Sequence, residues 1–179
     1  MKAPEFIETE RLILRKPKTE DAEAIYSRYA SDPEVTRYLS WSRHRSVEDT
    51  RVFIAMSDSA WDEWPGGPYL IEGKESHLLL GGTGFDFETP CRAAVGYVLA
   101  KEAWGQGYPT EALQALTSIA PQIGIRRLFA CCHAEHTKSA RVLEKGGFMR
   151  EGTLRSYMVF PNLDPSEPMD VLCYARIFE

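Results

Sequence analysis

The segment Ala103-Trp104-Gly105-Gln106-Gly107-Tyr108-Pro109-Thr110-Glu111-Ala112 sets two glycines between a strand-like run and a helix-like run. Nothing else in the chain restricts the fold as much. Glycine reaches backbone conformations closed to other residues, so the chain can turn sharply here and come close to a neighbour. Proline near the start of a helix removes an N–H that would have no intrahelical partner. The N–H groups that remain, with the positive end of the helix dipole, suit a pyrophosphate. The segment is not a Walker loop, because no Gly-Lys-Ser/Thr follows. Nor is it a dinucleotide fingerprint, because Thr110 stands where the third glycine would be. Read alone, it fits either a phosphate cradle or a purely structural turn.

The rest of the chain alternates in a way that fits an α/β sheet. Arg11-Leu12-Ile13-Leu14-Arg15 reads as a first strand. Thr19 caps a helix that carries Ala22, Ile25, Tyr26 and Tyr29 and stops near Asp32-Pro33. A short helical turn is expected over Glu34 to Leu39. Ser46-Val47-Glu48-Asp49 opens a second helix with Val52, Phe53 and Met56 on one face. Trp61, Trp64 and Pro65-Gly66-Gly67 end it. Tyr69 to Glu72, Leu78 to Phe87 and Ala94 to Ala100 are three strands. Pro109 to Gly124 is a helix interrupted at Pro121. Leu128 to Cys132 is a strand, and Thr137 to Lys145 a helix closed by Gly146-Gly147. Met149 to Val159 and Met169 to Ile177 form a last pair of strands joined by a long acidic loop, Asn162 to Pro168. The order is β-αα-βββ-α-β-α-ββ, a mixed α/β sheet.

At 179 residues the chain is expected to form a single domain over 1–179. Its net charge of −5 disfavours nucleic acid, whose binding draws on Lys and Arg. The four cysteines have no zinc spacing and do not form a disulfide framework. No metal is expected. Acids stand in MKAPEFIETERL where a signal peptide needs an apolar run. The longest uncharged stretch, Ala112 to Ile125, is too short to span a bilayer. The expected location is therefore the cytoplasm, with no membrane partner.

A second segment is His136-Thr137-Lys138-Ser139-Ala140-Arg141-Val142-Leu143-Glu144-Lys145-Gly146-Gly147-Phe148. With the glycine loop, it resembles the GNAT superfamily of acyl-CoA-dependent N-acyltransferases. Within that superfamily the chain resembles the RimJ/RimL-like branch of ribosomal-protein N-terminal acetyltransferases. Thr9-Glu10-Arg11-Leu12-Ile13-Leu14-Arg15, Asp32-Pro33-Glu34-Val35-Thr36-Arg37-Tyr38-Leu39 and Gly96-Tyr97 carry the same likeness. The resemblance implies a GNAT-type fold with a splayed central sheet and acetyl-CoA as co-substrate. It implies that the backbone of Val98, Leu99 and Ala100 pairs with the pantetheine arm. The amides of Gly105, Gln106, Gly107 and Tyr108, with the Thr110 hydroxyl, would hold the pyrophosphate. The family usually has Gln or Arg at Trp104, Gly or Ala at Pro109 and Asn at His136. Proline leaves one phosphate hydrogen bond missing or replaced. Imidazole offers the donor and acceptor of an amide in a different geometry.

Acyl transfer to an amine needs proton removal, oxyanion donors and a donor for the leaving thiolate. Ser139 is the candidate thiolate donor, against the alternative of a serine on a polar helix face. Some relatives place a tyrosine acid where this chain has Leu143. Related enzymes often place a base where this chain has Ala94, and Asp86 is the candidate substitute. Glu88, Glu135 and Asp170 remain alternatives. Lys138, Arg141 and Lys145 share a helix face and fit either the 3′-phosphate of CoA or solvent. Asp164, Glu167 and Asp170 fit an acidic rim for a cationic amine or an exposed loop. Trp41, Trp61 and Trp64 fit an acceptor pocket or the core. Cys131 and Cys132 read as core residues.

The expected function is transfer of an acetyl group to the primary amine of a protein N-terminus or small molecule, by direct attack in a ternary complex. The rivals are transfer of a larger acyl group such as succinyl, a non-catalytic acyl-CoA-binding domain, and an unrelated phosphate-binding protein. Many relatives dimerise, which leaves a homodimer open.

Overall fold

The computed structural model describes all residues, Met1–Glu179. One eight-stranded sheet runs in the order β1-β2-β3-β4-β5-β6-β8-β7. Its strands are β1 (Phe6–Glu8), β2 (Leu12–Arg15), β3 (Pro68–Gly73), β4 (Leu79–Thr89), β5 (Arg92–Leu99), β6 (Arg127–His133), β7 (Met149–Phe160) and β8 (Asp164–Ile177). The helices are α1 (Ala22–Ile25), α2 (Val47–Glu63), α3 (Tyr108–Ile119) and α4 (Thr137–Lys145). A 3-10 turn leads into α1 and a π turn, Tyr26–Ala30, continues it. Pro121 ends α3 in a second 3-10 turn, Ala120–Ile123. No helix is long and apolar enough to cross a membrane.

The expected order holds, with β1 added before the first expected strand. Four local expectations do not hold. Thr19 is the first residue of the leading 3-10 turn, whose N-cap is Lys18, and Asp21 stands at the N-cap of α1. Glu34 to Leu39 forms turns, not helix, with Asp32 Oδ1 accepting from the N–H groups of Glu34 and Val35. Helix α2 buries Thr50, Ile54, Ser57 and Trp61, leaving Val52 and Met56 exposed. The expected loop Asn162 to Pro168 is mostly strand. β8 starts at Asp164, and Val159 pairs with Pro168. Proline fits there because β6 stops at the His133↔Val171 pair, so the ribbon has an open side.

Alternation in the strands divides the core. Leu12, Leu14, Tyr69, Ile71, Phe85, Phe87, Ala93 and Val95 pack with Leu113 and Leu116 of α3. On the other face Leu70, Leu79 and Ala100 pack with Ile25, Tyr29 and Ile54 of the first two helical segments. Arg15 ties the start of the first helical segment to the sheet, donating to both carboxylate oxygens of Asp21 at 2.8 Å and to Glu72 at 2.9 Å.

Six of the seven neighbouring strand pairs continue the sheet in the usual way, but β5 and β6 part. They are parallel and paired only at Arg92↔Arg127, Ala93↔Leu128 and Ala94↔Phe129. Beyond that point β5 stays with β4 as far as Leu99, and β6 stays with β8 as far as His133. A wedge opens between the two halves. The upper part of β5 is pressed tightly onto β4. A Cβ at Gly81 would lie 2.0 Å from the Val98 carbonyl oxygen and 2.9 Å from Leu99 Cα. Gly81→Ala should therefore force the strands apart and lower stability by roughly 1–3 kcal/mol. Thermal denaturation checks this, and an unchanged melting temperature would contradict the close approach.

Candidate active site

The two loop glycines adopt the left-handed conformation that the sequence suggests, with φ of 75° at Gly105 and 80° at Gly107. Gly107 is the N-cap of α3, and Pro109 lies in its first turn. A Cβ at Gly105 would meet no atom within 4 Å, and one at Gly107 only Arg11 Nη2 at 3.6 Å. Space for a ligand thus exists over the backbone. A polar cleft of about 570 Å³ adjoins the loop, lined by Arg11, Gly107, Thr110, Glu111, Gln114 and Lys145 among others.

Arg11 holds this loop in shape. Its Nη1 donates to Gln106 O at 2.9 Å and its Nε to Glu111 Oε2 at 2.7 Å. Its backbone N–H donates to Glu111 Oε1 at 2.8 Å, and the Thr9 hydroxyl to the same oxygen at 2.6 Å. The guanidinium also lies 4.8 Å from the Tyr108 ring centroid. Burial alone would raise the Glu111 pKa. The hydrogen bonds from Thr9 and Arg11, with the Arg11 charge, outweigh it and hold the carboxyl below its ordinary value. Sequence reading found Thr9 and Arg11 in a motif but gave them no role.

At the wedge, the register decides which backbone groups are free. Ala100 N–H donates to Leu80 O at 2.8 Å. The Val98 carbonyl lies against Gly81. Antiparallel ladders alternate direction, so Val98 and Ala100 face β4. Tyr97 and Leu99 face the wedge instead. Leu99 O accepts from Trp104 Nε1 at 2.9 Å. Of the expected trio Val98, Leu99 and Ala100, only Leu99 points its backbone into the gap.

Ser139 lies in α4 and is buried. Its Oγ is 2.9 Å from the Tyr97 hydroxyl, which also lies 3.0 Å from Ser139 O. The Cys132 thiol is its other neighbour. Burial pushes that thiol up, opposed by the hydrogen bond from Ser139. Leu143 is buried in the core. His136 stands at the N-cap position of α4 without capping it. Its ring stacks on Tyr38 at 4.6 Å, and Tyr38 packs on His133 at 5.0 Å. Burial, then the charges of His133 and Lys138, push the His136 pKa down, favouring neutral imidazole. Asn162 donates to Thr36 O and Trp41 O at 2.8 and 2.9 Å, tying the β7–β8 turn to the segment that carries Tyr38.

On the sheet face covered by α1 and α2, the floor is small. Gly84 pairs with Gly96 and Asp86 with Ala94. Paired residues share a face, so Asp86 stands beside the expected position of the family base. A Cβ at Gly96 would meet nothing within 4 Å. Asp86, Glu63, Met56, Ser59 and Trp64 border a cavity of about 260 Å³. The other candidate acids differ in their engagements. Glu88 pairs with Arg92 at 2.7 Å, and Asp170 accepts from Ser156 N–H at 2.9 Å. Glu135 is exposed. Asp164 accepts from the Ser166 N–H and hydroxyl, so it fastens its own turn. Trp61 is core, edge-on to Tyr69, while Trp64 stacks on Phe87 and Trp41 packs near His44 at 5.2 Å. Lys138 lies 5.6 Å from the Trp104 ring centroid, Lys145 borders the polar cleft, and Arg141 is exposed. No group of three or more His, Cys, Asp or Glu side chains is arranged to hold a metal ion.

The profile of the acetyltransferase (GNAT) domain family matches residues 11–149. This chain belongs to the GNAT acetyltransferase family. An uncharacterized N-acetyltransferase of Bacillus licheniformis is 35% identical over 156 residues, covering 86% of this chain and 87% of that protein. The ribosomal-protein-serine acetyltransferase of Escherichia coli is 31% identical over 145 residues, 79% of this chain and 78% of its own length. The solved structure of the ribosomal alpha-N-protein acetyltransferase RimL in complex with coenzyme A superposes with a TM-score of 0.86 at 26% identity. It covers 97% of this chain and 98% of that one. The protein is an acetyl-CoA-dependent N-acetyltransferase of the RimJ/RimL-like branch.

Glu111→Gln tests the clamp on the glycine loop. It keeps the shape but removes the charge that Arg11 meets. At neutral pH the variant should lose about 1 kcal/mol, or roughly 2–4 °C in melting temperature. The folded-state pKa of Glu111 is depressed, so its contribution is present above the ordinary carboxylate range. It disappears as pH falls through the folded-state value. The gap between wild type and variant should close on acidification. A gap of the same size at neutral and acid pH would contradict the charge-based clamp.

Proposed function

We propose that the protein, read as one catalytic domain over residues 1–179, transfers the acetyl group of acetyl-CoA to a primary amine, on a protein N-terminus or a small molecule. The observation that carries this reading is the wedge between β5 and β6, with the glycine loop at the end of β5. In it, the amides of Gly105, Gln106, Gly107 and Tyr108 and the Thr110 hydroxyl bind the pyrophosphate. Tyr97 and Leu99 supply the backbone groups that pair with the pantetheine arm, while Val98 and Ala100 fix that strand to β4. His136 closes the arm from the side of α4. The RimL and ribosomal-protein-serine relatives support a protein N-terminal amine as the acceptor class.

The amine approaches over Gly96, where the sheet face is open. Asp86 accepts its proton directly or through a water. The amine nitrogen bonds to the thioester carbon, and the developing oxyanion is met by backbone N–H groups of the parted strand. Collapse breaks the C–S bond. The thiolate is received by a hydrogen bond from Ser139. No covalent enzyme intermediate is required, since both substrates reach one wedge from opposite faces. Acetyl-CoA as donor and the four free cysteines suit the cytoplasm.

Free-thiol release from acetyl-CoA, measured with N-terminal serine peptides and a panel of small amines, tests this. Acceptor-dependent release is expected, with acetylated product confirmed by mass spectrometry. Tight acetyl-CoA binding without release for any acceptor would instead favour a domain that senses acyl-CoA. Asp86→Asn should lower kcat/KM by roughly tenfold to hundredfold at neutral pH while leaving acetyl-CoA affinity unchanged. An unaltered rate would remove Asp86 from the reaction.

A further inference from the structure

Tyr97 has two roles open to it in the wedge. Its backbone belongs to the edge that faces the gap, and its side chain crosses to α4. There its hydroxyl meets both oxygens of one residue, Ser139 Oγ at 2.9 Å and Ser139 O at 3.0 Å. A phenol has one proton, and a serine hydroxyl has one. The carbonyl oxygen can only accept. Two hydrogen-bond patterns follow. In one, Tyr97 donates to the Ser139 carbonyl and Ser139 donates back to the Tyr97 oxygen. Both protons then stay within the pair. In the other, Tyr97 donates to Ser139 Oγ, and the Ser139 proton can turn away from it, toward Cys132 or the gap.

We propose that Tyr97 is a positioning residue for acyl transfer, setting the Ser139 hydroxyl as a donor to the departing CoA thiolate. The inference rests on the reading of Ser139 as that donor. Arrival of negative charge on sulfur favours the second pattern, because there Ser139 directs its proton outward while its oxygen accepts from Tyr97. Tyr97 then supports the serine oxygen as that oxygen shares its proton with sulfur. A hydrogen bond to an anion is stronger than one between neutral groups, and a polarised partner strengthens it further. No proton leaves Tyr97. Burial pushes its pKa well above the ordinary phenol value, so it remains neutral and able to donate throughout. The proton balance closes without it. The C–N bond forms, the C–S bond breaks, and the proton lost by the amine passes through Asp86 or solvent to the thiolate.

The arrangement replaces a tyrosine at the Leu143 position by a phenol from the opposite wall. Leu143 is on the same helix as Ser139 but buried in the core. Cys132, the other neighbour of Ser139, cannot serve equally. A thiol is a weak hydrogen-bond donor, and its proton is the more easily lost.

A double-mutant cycle with Tyr97→Phe and Ser139→Ala tests the inference, using the full chain and an acceptor found by thiol release. Turnover is measured under single-turnover conditions so that chemistry is read directly. Acetyl-CoA affinity and melting temperature are measured for every variant. Ser139→Ala should slow the step by roughly tenfold or more, and Tyr97→Phe by roughly threefold to tenfold, as expected for one hydrogen bond acting through another. In the Ser139→Ala background, Tyr97→Phe should have no further effect. Acetyl-CoA affinity should stay within about twofold in the single variants. Equal slowing by Tyr97→Phe in both backgrounds, or none in wild type, would overturn the positioning role while leaving Ser139 in place. An unaltered rate for Ser139→Ala would overturn the Ser139 reading and this inference with it. A Tyr97→Phe variant that loses acetyl-CoA affinity and stability in proportion to rate would show a structural role only.

Discussion

The parting of β5 from β6 after three residue pairs is the constraint on which the site depends. A sheet normally satisfies its backbone groups with the next strand, and a buried group left unpaired is costly. Here pairing stops at Ala94↔Phe129, while each strand keeps its other neighbour. The gap therefore cannot close by simple zippering without loosening β4–β5 or β6–β8. Tight packing at Gly81 holds β5 to β4, and the full β6–β8 ladder holds the other half. The two sides of the wedge are held by pairing and packing unrelated to any ligand. Such a preformed gap suits a site in which a long flexible molecule is held in one extended form.

Two polar clamps then adapt the wedge to its chemistry. Arg11 and Glu111 brace the glycine loop at one end, and Tyr97 and Ser139 span the gap beside α4. Each joins residues far apart in sequence. The Tyr97–Ser139 contact also lies where water is partly excluded, which strengthens it. The third tie, Asn162 to the backbone of Thr36 and Trp41, connects the β7–β8 turn with the aromatic stack of Tyr38 on His136. Parts of the chain from both ends of the sequence thus meet beside the start of α4.

Much of the fold was legible because periodicity reports burial. Leu12 and Leu14, or Phe85 and Phe87, alternate because one face meets α3. The failures have particular causes. Phe6–Glu8 is too short for alternation to register. Helix α2 packs through Thr50, Ile54, Ser57 and Trp61, a stripe containing two hydroxyl residues, so an apolar count selected the exposed Val52 and Met56. Pro165, Pro168 and their acidic neighbours resemble a loop, yet a ribbon with one open side tolerates proline. The glycine loop was legible because left-handed backbone and a helix start each have a residue signature. The contact of Tyr97 with Ser139 was not, since it joins residues 42 positions apart by a crossing of two elements. The direction of the Val98 and Leu99 backbone depends on strand register, which no residue type encodes.

The crystal structure of the protein with acetyl-CoA tests the central claim most directly. The account predicts the pantetheine arm in the wedge, hydrogen-bonded to backbone groups of Tyr97 and Leu99, with the pyrophosphate on the amides of Gly105 to Tyr108. Acetyl-CoA bound elsewhere on the protein, with the wedge left empty, would contradict it.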